Sequence, residues 1–352
     1  MSKMYSWQMT AQDADFLRTE ESFPELEAHE ALVQIAGCGV CHTDLSFWHY
    51  GVKTKKELPL TLGHEISGTV IDGPGKWVGK NVIIPAVLPC GECELCKKGR
   101  SNMCQNQLMP GNDFHGGFAS HIKVPARFLC PVPDSLLAKY PLEKLSVIAD
   151  AISTPYQVIR KSELESGDLA IVIGVGGVGI YAALIARIFG ARVIALDIDD
   201  SKLAIAKEHG ADAVMNIRDL DIKAIKNGVR EMAKELGASR YGWKIFEVSG
   251  TKAGQELGFN LLTFTSTLSI VGFTMDRTEV RLSNLMAFDA KVIGTWGCKP
   301  ELYSEVVELI DSGKLKINDF IETFPLSKIN EIFRNTLNHA YTRRSVLVPD
   351  FK

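Results

Sequence analysis

The pattern of apolar and polar residues changes character near residue 150. From Glu30 to about Pro133, short β-rich segments alternate with Gly, Pro and polar turns, which predicts a β-rich domain with many loops. These segments are Ala31–Ile35, Gly68–Ile71, Asn81–Ile84 and His121–Val124.

From about Asp168 the pattern becomes an alternation of strands and helices. Helical stretches such as Ser201–His209 and Leu220–Leu236 are each followed by a glycine. They separate predicted strands at Ala170–Gly174, Arg192–Leu196, Ala213–Asn216, Lys244–Val248, Thr267–Val271 and Lys291–Gly294. This alternation predicts a doubly wound parallel sheet.

The last part of the chain predicts two helices, Pro300–Ser312 and Ser327–Asn338, and a final strand, Ser345–Val348, that returns to the first domain. We therefore expect a first domain over residues 1–152, a second domain over residues 153–297, and a C-terminal segment over residues 298–352 that returns to the first domain.

One stretch could be taken for a membrane span. Leu169–Ala186 carries no charge and reaches the minimum length of a spanning helix, about 18 residues. Its four glycines divide it into a short β-rich part and a helical part, which favours a buried strand that turns into a helix. The N-terminus lacks the apolar region and cleavage site of a secretory signal, so we expect a cytoplasmic protein without a membrane partner.

Composition and charge narrow the function classes. Hydrophobic residues make up 46% and charged residues 23% of the chain, which is ordinary for a globular protein. The net charge of -3, from 39 basic and 42 acidic residues, provides no basic field for nucleic acid. A small-molecule substrate is the expected partner.

A glycine-rich turn lies where the first strand of the predicted parallel sheet meets its helix. It has the spacing Gly-x-Gly-Gly-x-Gly, formed by Gly174, Gly176, Gly177 and Gly179. Such a turn places backbone N–H groups and a helix N-terminus beside a pyrophosphate. Asp197 ends the next predicted strand, where a carboxylate binds the adenosine ribose and repels a 2′-phosphate. The combination favours NAD over NADP; the alternative is that the glycines serve only close packing.

Four of the eight cysteines are clustered in a polar stretch. The spacing of Cys90, Cys93, Cys96 and Cys104 is suited to four thiolates around one structural zinc ion. An iron–sulfur cluster is the rival hypothesis, but ferredoxin-like spacings continue with Cys-Pro, and Cys104 is followed by Gln105. Disulfides are less expected in a chain of this length in a reducing compartment.

A second polar cluster interrupts the apolar β-rich domain. Cys38 and Cys41 could form a redox pair, although no thioredoxin-like context surrounds them, and His64 alone could be a core histidine. Together, Cys41 and His64 have the ligand chemistry of a catalytic zinc site, which takes three protein ligands and leaves one position open.

The chain resembles the zinc-dependent medium-chain alcohol dehydrogenases from Trp7 to the C-terminus. The segments that carry the resemblance are Gly63-His-Glu65, the four-cysteine lobe, the glycine-rich turn and Arg344-Ser-Val-Leu347, in the family's order. The resemblance implies an α/β fold with a GroES-like catalytic domain and a Rossmann domain, two zinc ions and NAD. It also implies a homo-oligomer, either a dimer or a tetramer.

The resemblance assigns roles around the catalytic zinc. Cys41 and His64 match two zinc ligands, and Asp150 stands where many members place a third, cysteine ligand. Glu65 matches an alternating or outer carboxylate, and Asp44 matches an acceptor that orients the His64 imidazole.

Other matched residues concern the proton and the cofactor. Thr43 matches the hydroxyl that takes the alcohol proton. Ser46 stands where many members have a histidine that ends the proton relay. Either His49 or water could therefore receive the proton at the end of the relay. His42 and Arg344 match basic residues that face the cofactor pyrophosphate, and Lys202 is also assigned to the cofactor site.

Three short segments most resemble the 6-hydroxycyclohex-1-ene-1-carbonyl-CoA dehydrogenases of anaerobic aromatic degradation. They are Leu62–Gly68, Phe114–His121 and Val147–Gln157. This implies an acyl-CoA substrate, whose phosphates could meet Lys53, Lys55 and Lys56, although a lysine run is more often a solvated surface.

Several functions are open at this stage. The principal hypothesis is oxidation of a secondary ring alcohol by NAD. The same residues could reduce a conjugated alkene of a cyclic enoyl-CoA or serve a general secondary-alcohol dehydrogenase. A non-enzymatic NAD-binding sensor would not need Cys41, His64, Asp150 and Thr43 together.

Overall fold

The computed structural model describes residues 3–351, so the outermost ends of the expected segments 1–152 and 298–352 lie outside it. The chain forms two compact units. The discontinuous unit comprises the chain up to Ser153 and from Gly297 onward, and the central unit comprises Thr154–Trp296.

The strands and helices of the described residues are as follows. The strands are β1 (Lys3–Gln8), β2 (Leu17–Ser22), β3 (Glu30–Gly39), β4 (Glu65–Asp72), β5 (Asn81–Ile84), β6 (His121–Pro125), β7 (Cys130–Pro131), β8 (Leu169–Ile173), β9 (Arg192–Asp197), β10 (Ala213–Asn216), β11 (Lys244–Glu247), β12 (Thr267–Ile270), β13 (Lys291–Gly294), β14 (Ile321–Pro325) and β15 (Arg344–Val348). The α-helices are α1 (His42–Trp48), α2 (Glu94–Lys97), α3 (Asp134–Leu137), α4 (Ser153–Lys161), α5 (Gly179–Ile188), α6 (Asp200–His209), α7 (Ile222–Glu235), α8 (Lys252–Asn260), α9 (Ser283–Phe288), α10 (Tyr303–Asp311) and α11 (Ile329–Leu337). Short 3₁₀-helices cover Ser101–Met103, Ala126–Phe128, Leu142–Ala149, Pro300–Leu302, Asn318–Phe320 and Leu326–Lys328.

The discontinuous unit is built on a seven-stranded sheet. The strand order is β14-β15-β3-β4-β5-β7, and β6 also pairs with β3. Apolar side chains of the central strands, such as Val33, Ile66 and Ile84, are fully buried in its core. Strands β1 and β2 form a separate antiparallel pair, which the sequence pattern did not predict.

The C-terminal strand completes this sheet. β15 pairs antiparallel with β3, with Val346 opposite Gly39 and Leu347 opposite Cys38, so the predicted return of the last strand is confirmed. The pairing brings Arg344, the first residue of β15, to the end of β3 that leads into Cys41.

The central unit contains a six-stranded parallel sheet in the order β10-β9-β8-β11-β12-β13, which confirms the predicted doubly wound sheet. Every residue of β8 is buried because helices cover both faces of such a sheet. The uncharged run Leu169–Ala186 divides into β8 and α5, as its glycines predict. In the described part of the chain, none of the helices combines the length and apolar character that a bilayer span requires.

Helix starts in the central unit lie beside the carboxyl ends of the strands. The side chains of Asp199 and Asp221 cap α6 and α7 by accepting backbone N–H groups, and Thr251 caps α8 in the same way. Because β9, β8 and β11 are parallel neighbours, the turns that follow them lie at one edge of the sheet, where ligands bind in folds of this type.

Candidate active site

The four clustered cysteines converge in the discontinuous unit. The Sγ atoms lie 3.5 Å apart for Cys93 and Cys96, 3.7 Å for Cys93 and Cys104, and 3.5 Å for Cys90 and Cys104. All four are free thiols. Four sulfurs about 2.3 Å from a tetrahedral zinc ion lie about 3.8 Å from one another, so this set fits a single ion.

Backbone N–H groups favour the thiolate form at Cys90 and Cys93 of the lobe. N–H groups of Glu92 and Cys93 point at the sulfur of Cys90, at 3.5 and 3.4 Å, and they lower the pKa of that thiol to about 6. The Cys90 N–H points in turn at the Cys104 sulfur, at 3.4 Å. Burial raises the pKa of Cys96 to about 12 and also raises that of Cys104, so the backbone by itself favours thiolates at only part of the lobe. A bound cation would draw the remaining cysteines into the thiolate form that ligates a metal.

A second set of ligand atoms converges deeper in the same unit. One atom each from Cys41, His64, Glu65 and Asp150 lies within 4.8 Å of all the others. Asp150 Oδ2 is 3.6 Å from Cys41 Sγ and 3.6 Å from His64 Nε2. Cys41 precedes α1, His64 and Glu65 lie at the start of β4, and Asp150 follows the 3₁₀-helix Leu142–Ala149.

Asp44 fixes two of these ligands from behind. Its fully buried carboxylate accepts hydrogen bonds from His64 Nδ1 at 3.2 Å and from the N–H groups of Cys41 at 2.9 Å and Gly63 at 3.1 Å. The Nδ1 contact leaves His64 Nε2 directed at Cys41 and Asp150. This is the orienting contact that metal-bound histidines commonly have, so these residues fit a zinc ion.

The second set is electrostatically negative. Burial by itself lowers the pKa of His64, but the charge of Asp44 and the hydrogen bonds to Asp150 and Asp44 raise it well above its usual value. The same negative field that favours a proton on His64 favours a metal cation at Nε2.

Glu65 has a partner that the sequence did not predict for it. Its fully buried carboxylate is paired with Arg344, with Nε donating to Oε2 at 3.1 Å and Nη2 donating to Oε1. Burial raises the pKa of Glu65, and the Arg344 charge opposes this rise. Arg344 is thus a buried ion-pair partner of Glu65, and its contact with a cofactor stays a prediction.

The residues considered for the proton relay have separate partners. Thr43 Oγ1 lies 3.8 Å from Cys41 Sγ, beside the ligand set. Ser46 donates its hydroxyl to the His42 carbonyl at 2.9 Å, and His49 Nδ1 lies 2.5 Å from Asp13 Oδ1. The exposed His42 ring is 6.2 Å from that of His339. Only Thr43 of the relay candidates is therefore held next to the ligands by a described contact.

The glycine-rich turn of the central unit has the geometry of a dinucleotide site. Gly174 has a φ of +85°, and a Cβ at Gly179 would lie 1.8 Å from the Gly174 oxygen, so both positions require glycine. A Cβ at Gly176 would meet no atom within 4 Å, which leaves open space for a ligand to approach the backbone. These residues fit a pyrophosphate.

Asp197 stands beside this turn. Its Oδ2 accepts the N–H of Val175 at 2.7 Å, and its Oδ1 accepts the N–H groups of Ile198 at 2.7 Å and Asp199 at 3.1 Å. A pocket of about 330 Å³ opens here, with Gly174, Asp197 and Thr251 among its lining residues. Lys202 lies in the first half of α6, which follows β9.

Two residues near this pocket were missed from the sequence. Glu247 ends β11 and is fully buried, and its Oε1 accepts the N–H groups of Ser249 at 2.9 Å and Gly250 at 3.1 Å. Ser249 closely approaches Gly174, so Glu247 supports the glycine-rich turn indirectly. Arg218 also lines the pocket, where its Nε donates to the Ile198 carbonyl at 3.1 Å. An acidic residue at the end of a buried strand is a signal that could have indicated Glu247; Arg218 follows no such pattern.

Comparisons with known proteins agree with this organisation. A model of the alcohol dehydrogenase GroES-like domain matches residues 27–134, and a zinc-binding dehydrogenase model matches residues 177–312. An alcohol dehydrogenase of Geobacillus stearothermophilus is 31% identical over 330 residues, which is 92% of this chain and 93% of the relative. A D-arabinose 1-dehydrogenase (NADP(+)) of Saccharolobus solfataricus is 30% identical and covers 93% of each chain.

Solved structures share the whole fold. The alcohol dehydrogenase of the archaeon Aeropyrum pernix superposes with a TM-score of 0.87 at 27% identity, covering 98% of this chain and 100% of that one. Galactitol-1-phosphate dehydrogenase of Escherichia coli also gives 0.87, at 24% identity and with 98% and 100% covered, which is a likeness of fold alone.

Proposed function

The chain belongs to the zinc-type alcohol dehydrogenase family, and from this premise we propose that it oxidises a secondary alcohol with NAD at a metal ion held by Cys41, His64 and Asp150. The observation that carries the proposal is the position of Asp150 Oδ2, 3.6 Å from both Cys41 Sγ and His64 Nε2. One thiolate, one imidazole and one carboxylate form the three-ligand set of a catalytic zinc site.

Each residue of the set has a task that its contacts support. Asp44 holds the His64 imidazole in the tautomer that offers Nε2. Thr43, next to Cys41, is the hydroxyl that accepts the alcohol proton. Zinc bound by this set supplies Lewis-acid chemistry that lowers the pKa of an alcohol or polarises a carbonyl, and NAD supplies the hydride acceptor.

Arg344 prevents a build-up of negative charge in the site. Cys41, Asp150 and Glu65 place three acidic groups within a few ångströms of one another. The guanidinium of Arg344 contacts both oxygens of Glu65, so this carboxylate is neutralised by an ion pair and need not be a metal ligand. The proposed ligand set is therefore Cys41, His64 and Asp150, with Glu65 outside it.

Cofactor choice follows from Asp197. A carboxylate at the end of β9 accepts hydrogen bonds from ribose hydroxyls and repels a 2′-phosphate, so we propose NAD as the preferred cofactor. The NADP named for the Saccharolobus solfataricus relative makes the opposite preference a real alternative for a chain of this family.

A narrower proposal concerns the substrate. The segments Leu62–Gly68, Phe114–His121 and Val147–Gln157 support a ring alcohol carried as a CoA thioester, or the reduction of a conjugated alkene in such a ring. The run of Lys53, Lys55 and Lys56 supports an acyl-CoA substrate less than expected. Lys55 Nζ lies 2.9 Å from Asp113 Oδ1 and is already in an ion pair. Lys53 and Lys56 would have to supply the cationic contacts.

One set of rate measurements tests these proposals. The zinc-loaded protein is incubated with NAD and with secondary alcohols, ring alcohols and their CoA thioesters, and NADH formation is followed by absorbance. Turnover of secondary alcohols supports the general proposal, and no turnover of any alcohol contradicts it. If a free ring alcohol is used as efficiently as its CoA thioester, the acyl-CoA proposal is wrong and a general secondary-alcohol dehydrogenase is the better description.

A further inference from the structure

The third proposed ligand, Asp150, is held differently from the other two. Cys41 and His64 are tied to each other through the Asp44 carboxylate. Asp150 comes from another segment, at the point where the 3₁₀-helix Leu142–Ala149 ends. Its backbone angles, φ -142° and ψ -57°, belong neither to a helix nor to a strand. The direction of its side chain therefore depends on what fixes the peptide just before it.

That peptide is fixed by two buried hydroxyl groups. Tyr303, the first residue of α10, is fully buried, and its hydroxyl donates to the carbonyl of Ala149. Ser153 Oγ donates to the same carbonyl at 3.1 Å. A single carbonyl oxygen with two donors is held in both its lone-pair directions, which limits rotation of the Ala149–Asp150 peptide.

Tyr303 also connects this peptide to the seven-stranded sheet of the discontinuous unit. Its hydroxyl oxygen accepts the N–H of Ala86 at 3.3 Å, and Ala86 follows β5 by two residues. The phenol thus bridges the end of a strand and the residue that precedes Asp150. Because both anchors are backbone groups in a buried setting, the bridge is stiff compared with a contact between exposed side chains.

We propose that Tyr303 is a positioning residue whose hydroxyl keeps the Asp150 carboxylate within reach of Cys41 and His64. The inference rests on the proposed function, since it assumes a metal ion at these three ligands. A ligand must be held to within about 0.5 Å of its productive position, and a small rotation of the preceding peptide would move a carboxylate oxygen by more than that. The hydrogen bonds described for the Tyr303 hydroxyl join it to Ala149 and Ala86, so it acts on Asp150 through Ala149.

The test removes one hydroxyl and follows each metal ion separately. Zinc-loaded wild-type protein and Tyr303→Phe are mixed with excess chelator, and zinc release is followed with a colorimetric indicator. The release phase that disappears in His64→Ala identifies the catalytic ion. Loss of an outer contact of a ligand commonly costs about 10–100-fold in metal affinity, so we expect the catalytic ion to leave Tyr303→Phe at least about tenfold faster. The release from the four-cysteine lobe should be unchanged.

Two further variants make the result specific. Ser153→Ala removes the other donor to the Ala149 carbonyl and should also speed loss of the catalytic ion, which keeps the test valid if Tyr303→Phe folds poorly. Tyr341→Phe is the matched control, because its hydroxyl is bonded to Asn335, at 3.0 Å. It should release both ions as wild type does. The visible spectrum of cobalt-substituted Tyr303→Phe should differ from that of cobalt-substituted wild type, since it reports the coordination geometry.

The outcomes separate this inference from the proposed function. If folded Tyr303→Phe keeps the catalytic ion as firmly as wild type, whatever Ser153→Ala does, the inference is overturned. It is also overturned if both ions leave faster together, or if Tyr303→Phe does not fold and Ser153→Ala keeps the ion as wild type does. If wild-type protein holds zinc only in the four-cysteine lobe, the proposed function itself fails, and the inference fails with it.

Discussion

The four-cysteine lobe and the Cys41–His64–Asp150 set differ in how the chain assembles them. The lobe is local, since Cys90 and Cys104 are separated by 14 positions, and three of its cysteines are half-buried. The second set is assembled from distant segments, since Cys41 and Asp150 are 109 positions apart, and Cys41 and His64 are buried.

This difference indicates a structural task for a metal in the lobe and a catalytic task for a metal in the second set. In the lobe, three of the four cysteines are half-buried and all four come from one short segment, so a metal there would contribute directly to folding free energy. In the second set, a sheet and the buried Asp44 already hold the ligands in place. A metal there would contribute to chemistry more than to stability.

The largest expected effect is on catalysis, from His64→Ala. Removing a ligand of the second set should lower kcat/KM for a secondary alcohol by at least about ten-thousandfold, or about 5.5 kcal/mol, because the Lewis acid is lost. Circular dichroism should change little, because Asp44 keeps the N–H groups of Cys41 and Gly63, and the loss of stability should be small beside the loss of activity. A variant that loses activity only in proportion to unfolded protein would contradict the contrast.

Cys93→Ser should have the opposite profile. The lobe loses a ligand and its metal, and the free energy of unfolding should fall by about 4 kcal/mol, measured by denaturant titration. At a temperature where the variant is folded, kcat should stay within a few-fold of wild type. Ser101→Ala, which alters only a contact with Glu301 beside the lobe, is a suitable control. A Cys93→Ser protein as stable as wild type would show that the lobe has no structural task.

Arg344→Met tests whether the protein itself, without a bound metal, keeps the ligands of the second set in place. The variant leaves Glu65 as a buried carboxylate without its cation, which should cost about 3 kcal/mol of unfolding free energy in the metal-depleted protein. The double variant Glu65→Gln/Arg344→Met removes both charges and should recover part of this loss. An Arg344→Met protein as stable as wild type would mean that the ion pair contributes nothing.

Asp197→Ala should have the smallest effect, because the proposed contact of Asp197 is with the adenosine ribose of the cofactor, outside both metal sites. The preference for NADH over NADPH, measured by cofactor fluorescence titration, should shrink by about tenfold or more as charge repulsion and ribose contacts are lost. Asp197 also accepts three backbone N–H groups through both of its oxygens, so Asp197→Asn, which keeps one acceptor oxygen, retains more of these contacts than Asp197→Ala while removing the charge. Comparable affinities for both cofactors in wild-type protein would contradict the proposed NAD preference.

The same contrast explains which features the sequence could predict. The strands of the parallel sheet were found within a residue or two because a fully buried strand such as β8 is a continuous apolar run. Strand β2, Leu17–Ser22, is mostly exposed and has no such run, so the β1–β2 pair was missed. The cysteine lobe was predictable from spacing alone, since its geometry is local.

Distant partners have no equivalent signal. Asp150 was assigned only by resemblance, because spacing says nothing about a ligand 109 positions from Cys41. The Glu65–Arg344 pair joins residues 279 positions apart, and Tyr303 reaches Ala149 across 154 positions. The Glu65–Arg344 and Tyr303–Ala149 contacts form because β15 and α10 belong to the discontinuous unit, although they follow the central unit in sequence. A linear pattern shows these two elements only as a strand and a helix.

Zinc content per chain tests the central claim most directly. Wild-type protein and His64→Ala are purified without added chelator, and their metals are counted by mass spectrometry against protein concentration. The account predicts two zinc ions per wild-type chain, and one per chain of folded, inactive His64→Ala. Two zinc ions retained in His64→Ala, or iron with visible absorption in wild type, would contradict it.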